Sequence, residues 1–220
     1  MTQLMQSEPT VYQGQFGEFT ITESDRTGVI IYRAGLMLAA ICFAIGSAIA
    51  LDDRFTWQAL TPLFAAFCLA LGVSLVTIHI YLAPLHRLLQ VFWVIGSIAA
   101  VKLAIASPEP LALNVYNHPI TLLGVGFTFV ALTGIYFKEA FCFNRLETKF
   151  LTPLVPVLLL GHLVGVLPVE WERVMLAVWA ALFLVFALRK TVQRIPDDIG
   201  DKSVFDYLHN LRQEQKKTMA

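Results

Sequence analysis

About six stretches of roughly 20 mostly apolar residues follow one another along this chain, and the lysines and arginines fall almost wholly at alternate ends of them. A bilayer core about 30 Å thick is crossed by about that length of helix, whose backbone polar groups are satisfied within the segment itself. The spacing predicts spans at roughly 29–51, 58–82, 88–107, 119–138, 150–168 and 173–190. With 57% hydrophobic and 15% charged residues, a water-soluble domain would expose far too much apolar surface. The fold class that follows is an all-α polytopic membrane helix bundle of about six transmembrane helices.

An even number of crossings puts both termini on one side, and the basic residues then sort by the positive-inside rule. Arg26, Arg33, Arg87, Lys138, Arg145, Lys149, Arg189, Lys190, Arg194, Lys202, Arg212, Lys216 and Lys217 lie on the terminal side; Arg54 and Arg173 lie opposite. Both termini are therefore expected in the cytoplasm. Asp52, Asp53, Glu109, Glu170 and Glu172 are expected to face the other compartment.

Three regions result: a cytoplasmic arm over 1–28, a six-span domain over 29–190 and a cytoplasmic tail over 191–220. The arm lacks a signal-peptide pattern, and Phe19-Thr20-Ile21-Thr22 alternates with strand period, predicting a short hairpin or extended segment. Ser24 and Asp25 are expected to cap the first span. In the tail, Pro196 to Asp201 breaks the last helix. Ser203 then starts a short amphipathic helix with Val204, Leu208 and Leu211 on one face.

Prolines and glycines point to where the spans are irregular. Pro84 separates the second span from the third. Pro153, Pro156 and Pro168 mark the fifth span as kinked or partly re-entrant, and Gly161-His162-Leu163-Val164-Gly165 has the GxxxG spacing of close helix packing. Ala40, Ala44 and Ala48 give the first span a small-residue stripe.

Ionisable groups at membrane depth are the candidate site residues. Arg33, His79, Lys138 and Glu139 all fall within about one turn of the terminal-side boundary. They are read either as interfacial anchors or as a pocket for an anionic headgroup or substrate. Glu139 is expected to pair with Arg33, because Lys138 and Glu139, neighbours about 100° apart on a helix, cannot both face the same partner. Lys102 is an intramembrane charge near the far end of its span, expected to reach toward Glu109 or the Asp52–Asp53 loop.

His162 lies at or beyond the midplane, too deep to snorkel to the terminal side. Its readings are an interhelical hydrogen bond, a proton relay, or an axial ligand to a cofactor, haem or chlorophyll. Cys42, Cys68 and Cys142 form an odd set without a disulfide pattern, and Cys142 is expected to be inert packing. No catalytic or metal-binding motif stands out. A formal net charge of zero gives no support for nucleic-acid binding.

The run Gly134-Ile135-Tyr136-Phe137-Lys138-Glu139-Ala140-Phe141-Cys142-Phe143, with Arg145, Glu147, Thr152-Pro153 and Gly161 to Gly165, resembles a family of uncharacterised integral membrane proteins. Tyr12 to Phe19 and Tyr32-Arg33-Ala34-Gly35 resemble it too. That family belongs chiefly to cyanobacteria and related photosynthetic lineages, so the resemblance implies a thylakoid or plasma membrane setting and no activity. The expected function is that of a non-enzymatic accessory or assembly protein, in contact with the lipid bilayer and other membrane subunits. The alternative is a small-solute or ion transporter using the kinked fifth span.

Overall fold

The computed structural model describes residues 10–52, 57–80, 82–204, 207–210 and 213. Among them are five helices long and apolar enough to cross a membrane, and a sixth if one bent pair is a single span. The chain opens with an antiparallel hairpin, β1 (Val11–Gly14) and β2 (Gly17–Thr20), in which Tyr12 stacks on its partner Phe19. The first span, α1 (Glu23–Leu51), starts six residues earlier than its apolar run suggests. Its cap is Thr22 rather than Ser24. The Thr22 hydroxyl accepts from the Asp25 N–H at 3.2 Å while the Asp25 carboxylate accepts from the Thr22 N–H at 2.8 Å, a reciprocal capping box.

A 3-10 turn (Trp57–Ala59) leads into α2 (Leu60–Thr77), and α3 (Ala83–Ala106) follows. Pro84 does not sit in the connection as expected but in the first turn of α3, where its missing N–H leaves nothing unsatisfied. Next come a short α4 (Leu111–Asn117), a 3-10 turn (Pro119–Thr121), α5 (Leu122–Val125) and α6 (Phe127–Phe143). The bundle closes with α7 (Leu146–Leu163), α8 (Val169–Thr191) and a one-turn α9 (Ile195–Ile199).

The break in the bundle is not in the predicted place. The fifth span, α7, is a single helix with Pro153 and Pro156 inside it, whereas the fourth bends by 59° between Pro119–Val125 and Phe127–Phe143. The Gly161–Gly165 pair is a helix stop rather than a packing face. Gly165 has φ +67, its N–H reaches the His162 carbonyl at 3.0 Å, and the Val166 N–H reaches the Gly161 carbonyl at 3.0 Å, which is a Schellman termination.

Close helix packing occurs instead between α1 and α2. At Gly35 an added Cβ would lie 2.7 Å from Ser74 Oγ and 2.8 Å from the Ala70 carbonyl, and the Ser74 hydroxyl donates to the Tyr32 carbonyl at 3.0 Å. Of the predicted alanine stripe, Ala40 is buried and Ala48 is exposed.

The core is aromatic. Phe43 packs on Trp179 with ring centroids 4.4 Å apart, and Phe129 meets Trp179 edge-on at 5.2 Å. The Trp179 indole donates to the Tyr136 hydroxyl at 3.2 Å, so both buried polar tips are satisfied. Helices α1, α2, α6, α7 and α8 supply most of this core; α3 adds Leu89 and leaves most of its face uncovered.

Candidate functional site

Two places in the bundle gather polar side chains, one at each end. The hairpin and the chain after α9 meet at the same end: the Gln15 N–H donates to Asp201 at 2.6 Å, the Phe16 N–H to Ser203 Oγ at 3.1 Å, and Phe16 stacks on Tyr207 at 4.1 Å. The Gln15 amide and the Ser203 hydroxyl hold the Asp201 carboxyl below its ordinary value. Residues 203–204 and 207–210 are helical, and Leu208 is exposed; Leu211, Arg212, Lys216 and Lys217 lie outside the described residues.

Beneath that lid lies a buried ionic cluster centred on Lys190, whose side chain is fully enclosed. Lys190 donates to Glu139 Oε2 at 2.9 Å and to Asp198 Oδ1, and its ammonium sits 4.7 Å from the centre of the Phe143 ring. Glu139 Oε1 accepts from Lys138 at 2.9 Å and from the Tyr32 hydroxyl at 3.4 Å. Arg33 donates from Nε and Nη2 to Asp198 Oδ2 at 2.8 and 2.6 Å, and from Nη2 to the Arg194 carbonyl at 3.1 Å. Four helices thus meet in one set of charges: α1 brings Arg33, α6 Lys138 and Glu139, α8 Lys190, and α9 Asp198.

Of the four residues expected to converge at this end, Arg33, Lys138 and Glu139 do so, but with different partners. Glu139 takes Lys190 and Lys138, and Arg33 takes Asp198. The long Lys138 side chain reaches its own sequence neighbour, Nζ lying 2.9 Å from Glu139 Oε1. His79 stands apart, 3.8 Å from Asp25, which also pairs with Lys202 at 2.7 Å. Burial pushes the His79 imidazole below its ordinary value, against the raising pull of Asp25.

The aromatic run of α6 divides likewise: Tyr136 is fully buried, Phe143 lies against the cations, and Phe137 and Phe141 stack on each other at the exposed surface. Cys142 is exposed rather than packed.

At the opposite end an apolar cavity of about 350 Å³ runs into the bundle, lined by residues of α1, α2 and α4 to α8, with His162, Glu172 and Arg173 among its few polar lining groups. His162 Nδ1 donates to Glu172 Oε1 at 2.7 Å, Nε2 lies 3.2 Å from the Tyr116 carbonyl, and the ring stacks on Tyr116 at 4.9 Å. Both ring nitrogens are engaged, so ligation of a haem or chlorophyll through His162 would break one of these contacts. Burial and the Glu172 carboxylate push the Tyr116 phenol up, keeping it a hydrogen-bond donor. Arg173 donates to the Leu51 carbonyl at 2.6 Å. Lys102 is exposed near the end of α3 and pairs with neither Glu109 nor Asp52; Asp53 and Arg54 lie outside the described residues.

A family model described as "Uncharacterized integral membrane protein (DUF2301)" matches residues 73–207. The chain belongs to this family. The matched stretch holds Lys138, Glu139, Lys190 and Asp198 of the ionic cluster, together with His162 and Glu172 at the cavity; Tyr32 and Arg33 precede it. No curated protein and no solved structure matches the chain at a significant level. This DUF2301 protein is thus a multi-pass integral membrane protein, associated with the lipid bilayer.

Lys190 and Asp198 are the cluster members that sequence reasoning missed. A lysine closing an apolar run carries the same signature whether it snorkels outward or is enclosed by the chain that follows. Asp198 lies just beyond Pro196, where the run is broken, and only the return of α9 toward α1 brings it inward.

Proposed function

We propose that the chain is a non-enzymatic accessory or assembly protein of a photosynthetic membrane, thylakoid or plasma, with both termini in the cytoplasm. The ionic cluster carries this reading. Each of its buried charges already has a partner within the chain, so the cluster binds helices together and presents the hairpin and tail as a fixed platform. The orientation rests on the lysines and arginines gathered at the terminal side, and the membrane setting rests on the family resemblance.

The test is native electrophoresis of gently solubilised membranes, with reporter tags on each terminus. Comigration with a larger membrane complex and both tags on the cytoplasmic side are expected. Monomeric migration, or tags in opposite compartments, contradicts the proposal.

A second reading, a small-solute or ion transporter, is favoured by the cavity at the opposite end and by the 59° break in the fourth span. Leu122 and Phe129 on either side of the break line the cavity together with Leu158 and His162 of the fifth span, so both spans would border such a route. Solute flux into proteoliposomes that disappears in His162→Ala supports transport; absence of flux removes it.

A further inference from the structure

We propose that the cavity at the loop end is a binding site for a planar, uncharged, apolar ring compound that carries a hydroxyl group. The inference stands independently of the accessory role, since the cavity shares no residue with the ionic cluster. Its volume of about 350 Å³ lies in the lower part of the range of small-molecule sites, about 300–1,000 Å³. An apolar protein cavity of about 150 Å³ stays dry and takes up benzene, so this one has room for a fused pair of rings.

The shape and chemistry of the lining select the guest. Phe43, Phe64, Phe129 and Trp179 line the interior, and aromatic walls favour a flat ring through offset or edge-to-face contacts. Polarity is confined to the group around His162, Glu172 and Arg173. A guest with a carboxylate or sulfonate would meet the Glu172 carboxylate, and any charged head would be stripped of water against an almost wholly apolar lining, so an uncharged head is preferred.

The Glu172 carboxylate supplies the polar anchor. Its Oε1 accepts from His162 at 2.7 Å, but its Oε2 is approached, among the described residues, only by the Tyr116 hydroxyl at 3.4 Å, a long contact. Oε2 therefore retains acceptor capacity for a hydroxyl donated by a guest. With the rings inside and the hydroxyl at Glu172, the guest spans the cavity from its aromatic interior to its polar lining.

The test uses the full chain in detergent micelles with 1-naphthol as probe, read as the rise in unfolding temperature with probe concentration. A saturable rise is expected, stronger than that given by n-decanol, which offers the same head on a flexible chain, or by naphthalene-1-sulfonate, which offers the same rings with an anionic head. Ala112→Trp, which places an indole in the cavity, is expected to abolish the rise while the variant keeps a cooperative transition of its own. Glu172→Gln is expected to weaken 1-naphthol about tenfold and leave naphthalene unchanged.

A rise that survives in folded Ala112→Trp overturns the proposal. So does n-decanol binding as well as 1-naphthol, which would make the cavity a slot for lipid chains, or naphthalene-1-sulfonate binding more tightly. Should Ala112→Trp not fold, Glu172→Gln decides alone: unchanged 1-naphthol affinity refutes the site.

Discussion

The two ends of this bundle solve the membrane's demand on polar groups in opposite ways. At the terminal end, charges that would be costly singly are enclosed and paired: Lys190, Glu139 and Asp198 have side chains at most 1% exposed, and each has partners on other helices. At the loop end polar groups are few, lie around His162 and Glu172, and border a volume the protein does not fill with its own side chains. One end is closed by electrostatics and the other is left open by packing. Mutations at the first should therefore act on stability, and mutations at the second on occupancy.

The largest contrast comes from Lys190→Met. It leaves Glu139 and Asp198 without their shared cation inside the bundle and is expected to cost about 3–5 kcal/mol in unfolding measured in micelles. Adding Glu139→Gln to Lys190→Met should return part of that loss, because two carboxylates then no longer share only Lys138 and Arg33. If Lys190→Met costs under 1 kcal/mol, the cluster is not enclosed as described.

A smaller effect of the opposite sign is expected at the other end. Ala112→Trp fills apolar space and should stabilise the unliganded protein by about 0.5–2 kcal/mol. A loss of similar size would mean that the space is already occupied by protein atoms. Next in size is Gly165→Ala, which forces a Cβ onto a left-handed residue at φ +67 and should cost about 1 kcal/mol. No effect there would show that α7 ends differently.

The smallest effect is a pH dependence at the platform. The folded-state Asp201 carboxyl lies below its ordinary value because it accepts from the Gln15 amide and the Ser203 hydroxyl. Its contribution is thus present above the ordinary carboxylate value of 3.8 and is lost as pH falls through the lower folded value. Amide exchange at Gln15 should stay slow down to that pH and accelerate below it. Asp201→Asn should abolish the pH step.

The membrane class, the spans and the terminal-side gathering of Arg33, Lys138 and Glu139 were legible in the sequence, because length, hydropathy and the position of each charge in its run are local properties. Partnerships were not. Glu139 finds Lys190 rather than Arg33 because α8 faces α6 across the core, Trp179, Phe183 and Phe186 against Tyr136, and α9 returns toward α1, a matter of tertiary arrangement that no spacing records. The Gly161–Gly165 pair reads alike as a packing motif or a helix stop, and only the left-handed backbone at Gly165 decides between them. Pro153 and Pro156 lie inside α7 without ending it, while the 59° break sits at Gly126 of the fourth span, just after four helical residues, where no proline marks it. The cavity had no signature at all, because its walls come from seven helices spread along the chain.

Hydrogen–deuterium exchange of the intact protein in lipid nanodiscs tests the contrast between the ends most directly. If the terminal end is held by its buried charges, the amides of 186–199, α9 included, exchange only with global unfolding, while those of 111–118 beside the cavity open much earlier. Exchange over 195–199 as rapid as over 111–118 would contradict the account, since α9 would then not be fastened to the bundle by Asp198.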